Sequence, residues 1–411
     1  MPILTESAKD IAIPEMFPVM QLFPDVKIKD VYSTAKAEIK KKQLNNLIRP
    51  GKSVAVLVGS RGIASLKYVV KAVIEMLINM GVKPFIVPAM GSHGGGVAKE
   101  QKKIIESYGI TEEYLGIPIC SSMETTIIGE TADKIPIHID KFADRADYIV
   151  PVVRIKAHTD FSGPIESGLC KMLSIGIGKH NGCSRLHQEG FSNFSKLIPN
   201  AASVVLNKKN VPFGVAIIEN AHENVHTICA VPGSDILSKE PSLLSLSKSL
   251  MPRLYFDHID VLIVEQIGKD ITGAGMDPNI TGRTTSGSVQ NFSGPSISRI
   301  VVLDLTEKTH NNAVGVGNAD FITKKLYDKI DLISTYSNAI ASGNPGSANI
   351  PVVLDSEREA VLAAIQTCPG IDHNNAKIVK IKDTLHLVNI EISENLLPYC
   401  RSRKNFYVPE H

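Results

Sequence analysis

Residues 53–96 read SVAVLVGSRGIASLKYVVKAVIEMLINMGVKPFIVPAMGSHGGG, and this stretch decides the fold class. SVAVLVG is a short β-branched run, as expected of a strand buried on both faces. From Ile63 to Met80 apolar residues recur at helical spacing, and Gly81 supplies the stop. KPFIVPAM predicts the next strand and runs into GSHGGG. Strand, helix and strand within about 40 residues make a βαβ crossover, so the sheet is expected to be parallel. Two loops then open at strand carboxyl ends, Gly59-Ser60-Arg61-Gly62 and Gly91 through Gly96. Open α/β sheets bind their ligands at that edge.

Outward from this unit, strands are predicted over 135–139, 146–155, 212–220 and 226–233, and AKEQKKIIESYG and LSLSKSLM read as helices. The stretch from Lys156 to about Asn193 reads as long and irregular. A second α/β region begins with a strand over 258–268 and continues with another over 297–305. A helix is predicted over 319–330 and a further one over 356–368, followed by the strand-like AKIVKIKDTLHLVNIEIS. The expectation is an α/β protein of two α/β domains with mainly parallel sheets and an interdomain active-site cleft. Its domains are a cofactor-binding N-terminal one over 1–250 and a C-terminal one over 251–388, with a substrate-facing loop at 265–283. A tail, 389–411, completes the chain, and its return to the first domain is left open.

Composition narrows the function classes. With 43% hydrophobic residues, 411 residues can bury sizeable cores, which excludes wholesale disorder. Lys plus Arg is 44 against 42 Asp plus Glu, a net charge of +2 that argues against a dedicated nucleic-acid or anionic-membrane protein. No apolar run reaches the roughly 18 to 20 residues of a membrane helix, and the N-terminus shows no secretory signal. The 6 Cys, without a CxxC pair, read as reduced thiols. A cytoplasmic protein acting on a small molecule is expected, with no nucleic acid or membrane partner and an oligomer left open.

Several residues could do chemistry. His93, between a strand and three glycines, either caps an anion cradle or acts as an acid/base near neutrality. Arg61, one loop earlier, could hold a carboxylate or phosphate bidentately. Residues 154–187, RIKAHTDFSGPIESGLCKMLSIGIGKHNGCSRLH, carry Arg154, Lys156, His158, Lys171, Lys179, His180 and His187 among glycines. A Lys within an apolar run such as CKMLSIGIG should have a depressed pKa, and a deprotonated Lys171 could carry a covalent adduct. Zinc at Cys170, Cys183, His180 and His187 would fit no ordinary spacing. In the loop 265–283, Gln266, Lys269, Asp277, Asn279 and Arg283 could hydrogen-bond a polar substrate. GVGNADF (315–321) and SGNPGS (342–347) are candidate loops on the same edge.

The order Arg61, His93, His158, Lys171, His187 resembles the nickel-dependent lactate racemase superfamily, the nickel-pincer-cofactor isomerases of 2-hydroxyacids. Gly91-Ser92-His93 matches the family's Gly-Ser/Thr-His turn, and Lys171 through Ile177 its Lys followed by an apolar stretch. His187 falls sixteen residues after Lys171, where the family has its third His. Where the family has Asp-x-Thr-Arg, this chain has Val58-Gly59-Ser60-Arg61, which marks a divergent subgroup.

The resemblance implies that Lys171 is joined to a nickel-pincer mononucleotide (nickel pyridinium-3,5-bisthiocarboxylic acid mononucleotide) whose sulfur, carbon and sulfur atoms grip Ni. It implies that His187 supplies the remaining nickel ligand, with His180 as its rival, and that His93 and His158 form the acid/base pair. Ser60, Arg61, Gly94 and Gly95 are expected at the cofactor. Arg61, Gln266, Lys269, Asp277 and Asn279 are expected at the substrate. The implied reaction inverts C2 of a 2-hydroxyacid by reversible hydride transfer, making the chain a racemase or epimerase. The alternatives are a nickel-free nucleotide- or phosphate-binding transferase or hydrolase on the same scaffold, and a non-catalytic sugar-acid binding protein.

Overall fold

A computed structural model describes residues 11–41, 44–60, 62–285, 292 and 294–409. Two compact units divide the chain: the first is Pro24–Met251, and the second joins the chain up to Phe23 with Pro252 onward. Its strands, in chain order, are β1 (Met16–Gln21), β2 (Ser53–Val58), β3 (Lys83–Pro88), β4 (Thr125–Glu130), β5 (Pro136–Asp140), β6 (Tyr148–Arg154), β7 (Phe213–Glu219) and β8 (Val225–Pro232). There follow β9 (His258–Ile267), β10 (Ser296–Leu305), β11 (Phe321–Thr323), β12 (Val352–Leu354), β13 (Ile378–Ile381), β14 (Asn389–Ser393) and β15 (Phe406–Tyr407).

The first unit is built on a five-stranded sheet of order β3-β2-β6-β7-β8, parallel except for β8. Burial on both faces explains the unbroken apolar run of β2. Ala55 and Leu57 enter one core with Leu169, Phe194 and Ile198. Val54, Val56 and Val58 enter the other with Val69, Val73 and Leu77 of the helix Leu66–Asn79. The predicted stop, Gly81, takes φ +74, the left-handed conformation open to glycine at low cost. The chain leaves β2 toward β3 on one side and reaches β6 on the other. The loops after β2 and β6 therefore part at a switch in strand order, where open α/β sheets form their binding crevice.

In the second unit the sheet has eight strands, β12-β11-β10-β9-β13-β14-β1-β15. It is parallel from β12 to β13 and antiparallel from β13 onward. Leu262 and Val264 of β9 face one core, Val261 and Ile263 the other.

Three expectations differ from this arrangement. The described residues before Phe23 lie with the second unit, because β1 pairs with β14 and β15, and those two strands put 389–393 and 406–407 of the tail in that same sheet. Residues 319–330 are a short strand, β11, before a single helical turn, Lys324–Tyr327, with Thr323 capping it through Leu326 N–H. The stretch 156–193 is ordered: a turn of helix (Leu169–Lys171), a π-helical turn (Met172–Gly176) and the helix Lys179–His187 occupy it.

Candidate active site

The loop after β3 is a chain of left-handed turns. Gly91, Gly94, Gly95 and Gly96 take φ of +59, +66, +64 and +67, conformations that a Cβ strains. A Cβ at Gly91 would also press on Cys183 Sγ at 3.1 Å and one at Gly94 on the backbone of Gln101 at 3.1 Å. His93 is exposed in this turn, and its Nδ1 shares a hydrogen bond with Ser60 Oγ of the neighbouring loop. The Ser60 carbonyl accepts from Tyr108 Oη, and Ala64 N–H donates to Glu219 Oε1 at 2.6 Å. Glu219 in turn pairs with Arg154 at the end of β6. The two loops read from sequence are thus joined to each other and anchored to the sheet. Arg61 lies outside the described residues.

The loop after β6 begins with His158, whose side chain is 11% exposed. Its Nδ1 accepts from Asp160 N–H at 3.0 Å, which puts the proton of the neutral ring on Nε2. Phe161 packs on the ring with centroids 4.5 Å apart. The loop is tied by Glu166, a residue the sequence reading passed over. Buried at 1% exposure, it accepts from His158 N–H at 2.7 Å, Gly163 N–H at 2.9 Å and Lys248 Nζ at 2.6 Å. One of only two acidic residues, with Asp160, in the basic, glycine-rich stretch 154–187, it was the available signal.

Lys171 closes the next turn, half-buried. Glu240, 1% exposed, caps that turn from the helix Ile236–Leu250 by accepting from Cys170 N–H at 2.8 Å. Burial pushes the Glu240 carboxyl up to about 7, although the Cys170 contacts oppose it. Of the lysines in this segment, Lys179 is the one the fold seals. Lys179 is fully enclosed, and burial lowers its pKa against the opposing pull of Asp140.

His187 ends the helix Lys179–His187. Its Nδ1 lies 2.7 Å from Cys183 O and 3.5 Å from Cys183 Sγ. Burial raises the Cys183 thiol, but the bonds from His187 and then Ser92 bring it below its ordinary value. Burial lowers His187, and Cys183 raises it further than that. Lys171 is near enough for its charge to act on His187. His180 is exposed and lies beside Gly96, 3.4 Å from where a Cβ would stand.

These contacts bring four candidates into one region. Phe191 packs on both His158 and His187, at 6.0 and 5.6 Å. Cys183, next to His187, reaches Ser92 Oγ at 3.7 Å in the His93 turn. The proposed zinc set does not assemble: Cys170 lies in the core beside Glu240, and among the described residues no three His, Cys, Asp or Glu gather to hold a metal ion. All six cysteines are free thiols, and no helix among the described residues is long and apolar enough to cross a membrane.

The second-domain candidates lie in the other unit, at and beyond the carboxyl end of β9. Gln266 is on the strand, its N–H bonded to Lys382 O at 2.9 Å. Lys269 Nζ donates to Asn338 Oδ1. Asp277 caps the turn Pro278–Thr281, accepting from Asn279 N–H at 2.9 Å. Arg283 is a clamp on Asp320 at 2.5 Å and on the carbonyls of Asn318, Ile297 and Ser298. The glycines of 315–317 and 346 pack backbone to backbone, with Gly315 N–H on Ser347 O at 2.8 Å.

A family model described as the lactate racemase N-terminal domain matches residues 24–196. The lactate racemase apoprotein from Thermoanaerobacterium thermosaccharolyticum is similar in structure, with TM-score 0.53 and 14% identity over 90% of this chain and 99% of that one. A structural-genomics protein from Thermotoga maritima is similar at TM-score 0.51 and 14% identity, over 82% of this chain and 91% of that one. No curated protein matches the sequence. At such identity the two structures speak for the fold, whereas the domain match covers the loops that carry Ser60, His93, His158, Lys171 and His187. Residues 24–196 thus match a lactate racemase N-terminal domain, and the chain shares the fold of the lactate racemase apoprotein at low identity.

Proposed function

We propose that the chain is an isomerase that inverts C2 of a 2-hydroxyacid, working with a nickel-pincer nucleotide attached to Lys171. The observation that carries this reading is the convergence of the His93 turn, His158, Lys171 and His187 on one edge of the first sheet. When bound, the pincer group supplies a hydride acceptor beside a metal, which spares the enzyme a carbanion at an unacidified carbon.

The residues fit such a group. With Nδ1–H of His187 donating to Cys183 O, the lone pair of Nε2 is left for a metal, the arrangement by which proteins orient a ligating imidazole. Three protein ligands are not needed when the organic group brings its own donors, and only one is offered here. Lys171 is half-buried, whereas Lys179 is sealed.

The chain's own part is proton transfer and placement. When Ser60 Oγ accepts from Nδ1–H of His93, Nε2 of that ring is a base for the substrate hydroxyl. His158, with its proton on Nε2, is proposed as the second member of the acid/base pair and as a donor to the substrate oxygen. Arg61, on the same loop as Ser60, is the proposed cation for the substrate carboxylate. Gly94 and Gly95 offer backbone N–H groups without side-chain obstruction to the nucleotide phosphate. Gln266, Lys269, Asp277 and Asn279 are proposed to serve the substrate from the second unit.

Intact mass and nickel analysis test the reading, on protein made in cells that synthesise the pincer group. The wild type should carry the adduct with nickel, and Lys171→Ala should carry neither. Wild-type protein from those cells with neither adduct nor nickel would refute it.

A further inference from the structure

The turn that carries His93 is made of glycines, which have no side chains with which to hold it. Four of its six residues are glycines in the left-handed region. What holds it is a buried amide. Gln101, 0% exposed on the helix Ala98–Ser107, uses both hydrogens of Nε2: one on Gly91 O at 2.9 Å, the other on His93 O at 3.0 Å. Its Oε1 accepts from Lys179 Nζ at 3.2 Å.

Lys179 is itself an unusual residue. It is wholly enclosed, its ammonium donates to Pro88 O at the end of β3, and Asp140 Oδ2 lies 3.4 Å away. Its backbone takes φ +54, a left-handed conformation that strains a non-glycine residue. Burying a charge adds a further cost unless paired and hydrogen-bonded. A surface lysine would avoid both penalties, so the position is explained by what the ammonium fixes. With Oε1 facing Nζ, the Gln101 amide has one allowed orientation. Turned over, it would set its hydrogens against the ammonium and its oxygen against two carbonyls.

We propose that Lys179, acting through Gln101, is the positioning residue for His93, locking the glycine turn to the segment that carries Lys171. That segment is already seated on the turn, since Gly91 N–H donates to Gly176 O at 3.0 Å and a Cβ at Gly176 would lie 2.7 Å from Ala89 O. The catalytic meaning of the placement rests on His93 transferring protons as proposed above. The placement itself does not, and the two can fail separately.

The test uses the full, cofactor-free chain, labelled with nitrogen-15. Gln101→Leu keeps the bulk and removes donors and acceptor. Gln101→Glu still meets Lys179 but turns oxygens toward both carbonyls. In each, amide exchange from Gly91 to Val97 should accelerate by about tenfold or more, while the helix Leu66–Asn79 stays within about twofold. The ring nitrogens of His93, held by Ser60 in the wild type, should lose the shift pattern of a single tautomer. Lys179→Met combined with Asp140→Asn, which leaves no buried charge unpaired, should give the same loosening. A folded Gln101 variant with turn exchange and His93 shifts unchanged would overturn the proposal. So would a folded Lys179→Met/Asp140→Asn protein with a wild-type turn.

Discussion

Glu166→Ala should loosen the His158 loop and destabilise the first unit by about 3 kcal/mol. The figure is built from the bonds removed. Two backbone amides, those of His158 and Gly163, donate to the carboxylate at 2.7 and 2.9 Å. Bonds to a charged acceptor are worth about 1.5–3 kcal/mol each, so the low end of that range gives about 3 kcal/mol for the pair. The Lys248 contact adds under about 1 kcal/mol, because that lysine is 37% exposed and screened by water. Water entering the loop offsets part of this, since the freed amides then find new partners. With a urea slope of about 2–3 kcal/mol per molar, the midpoint should fall by about 1–1.5 M. The chain has 0 Trp, so intrinsic indole fluorescence offers no probe. The transition is better followed by hydrogen exchange on peptides of the helix Phe194–Lys208, which packs under this loop. Glu166→Gln, which keeps one acceptor oxygen, should fall between the wild type and Glu166→Ala. A midpoint within about 0.2 M of the wild type in Glu166→Ala would refute the claim that this carboxylate holds the loop.

Glu240 gives a pH signature. Its folded carboxyl sits at about 7, above the ordinary value of 4.5, so the native state binds the proton more tightly than the unfolded chain. Stability therefore falls as pH rises through the window from about 4.5 to 7, by up to about 3 kcal/mol; Glu240→Gln should flatten that fall in urea midpoints measured between pH 4.5 and 8, and an unchanged slope would count against the assignment. Gly168→Ala should be destabilising by about 2 kcal/mol or more, read as a lowered melting temperature, since a Cβ there would fall on Glu240 Oε1 and Ile155 Cδ1. Its φ of 174 is open to any residue, so the penalty is steric and pairing it with Glu240→Ala should restore part of the loss.

The first sheet was legible because parallel strands buried on both faces must be continuously apolar, and SVAVLV, KPFIVP and YIVPVVR are. The helix Leu66–Asn79 was equally plain from its apolar spacing. The segment 156–193 was not, for a reason its own packing supplies. Its helices pack closely through their glycines: a Cβ at Gly178 would stand 3.3 Å from His138 O, one at Gly182 3.0 Å from His138 Cβ, and one at Gly176 2.7 Å from Ala89 O. Such contacts select small residues and erase the amphipathic period that sequence reading relies on. β1 was missed because Pro18 interrupts a short strand whose partners, β14 and β15, lie more than 360 residues away in sequence. The enclosure of Lys179 was hidden on the same ground. Both border the run MLSIGIG, and only the left-handed turn at Lys179 folds its side chain back beneath the loop.

A common device underlies the candidate site. The segments that carry His93, His158 and Lys171 are rich in glycine, and besides their apolar contacts, such as Phe161 and Leu173, buried polar side chains hold their backbone. For the His158 and Lys171 segments that side chain is a buried acid, and for the His93 turn it is the amide of Gln101. Glu166 accepts the amide of His158 itself. Glu240 accepts the amide of Cys170, one residue before Lys171. Asp140 caps the turn Lys141–Arg145 and pairs with Lys179, whose ammonium orients Gln101 and with it the His93 turn. A carboxylate is suited to the task because it accepts several N–H bonds at once and directs them, whereas an apolar contact is indifferent to where a turn's amides point. The cost is a buried charge, and it is lowest where the surrounding backbone donors already face inward. Acidic residues within a basic, glycine-rich segment are places to look for the supports of such loops, and a reading of this sequence that begins from Glu166 reaches His158 as directly as one that begins from the histidine.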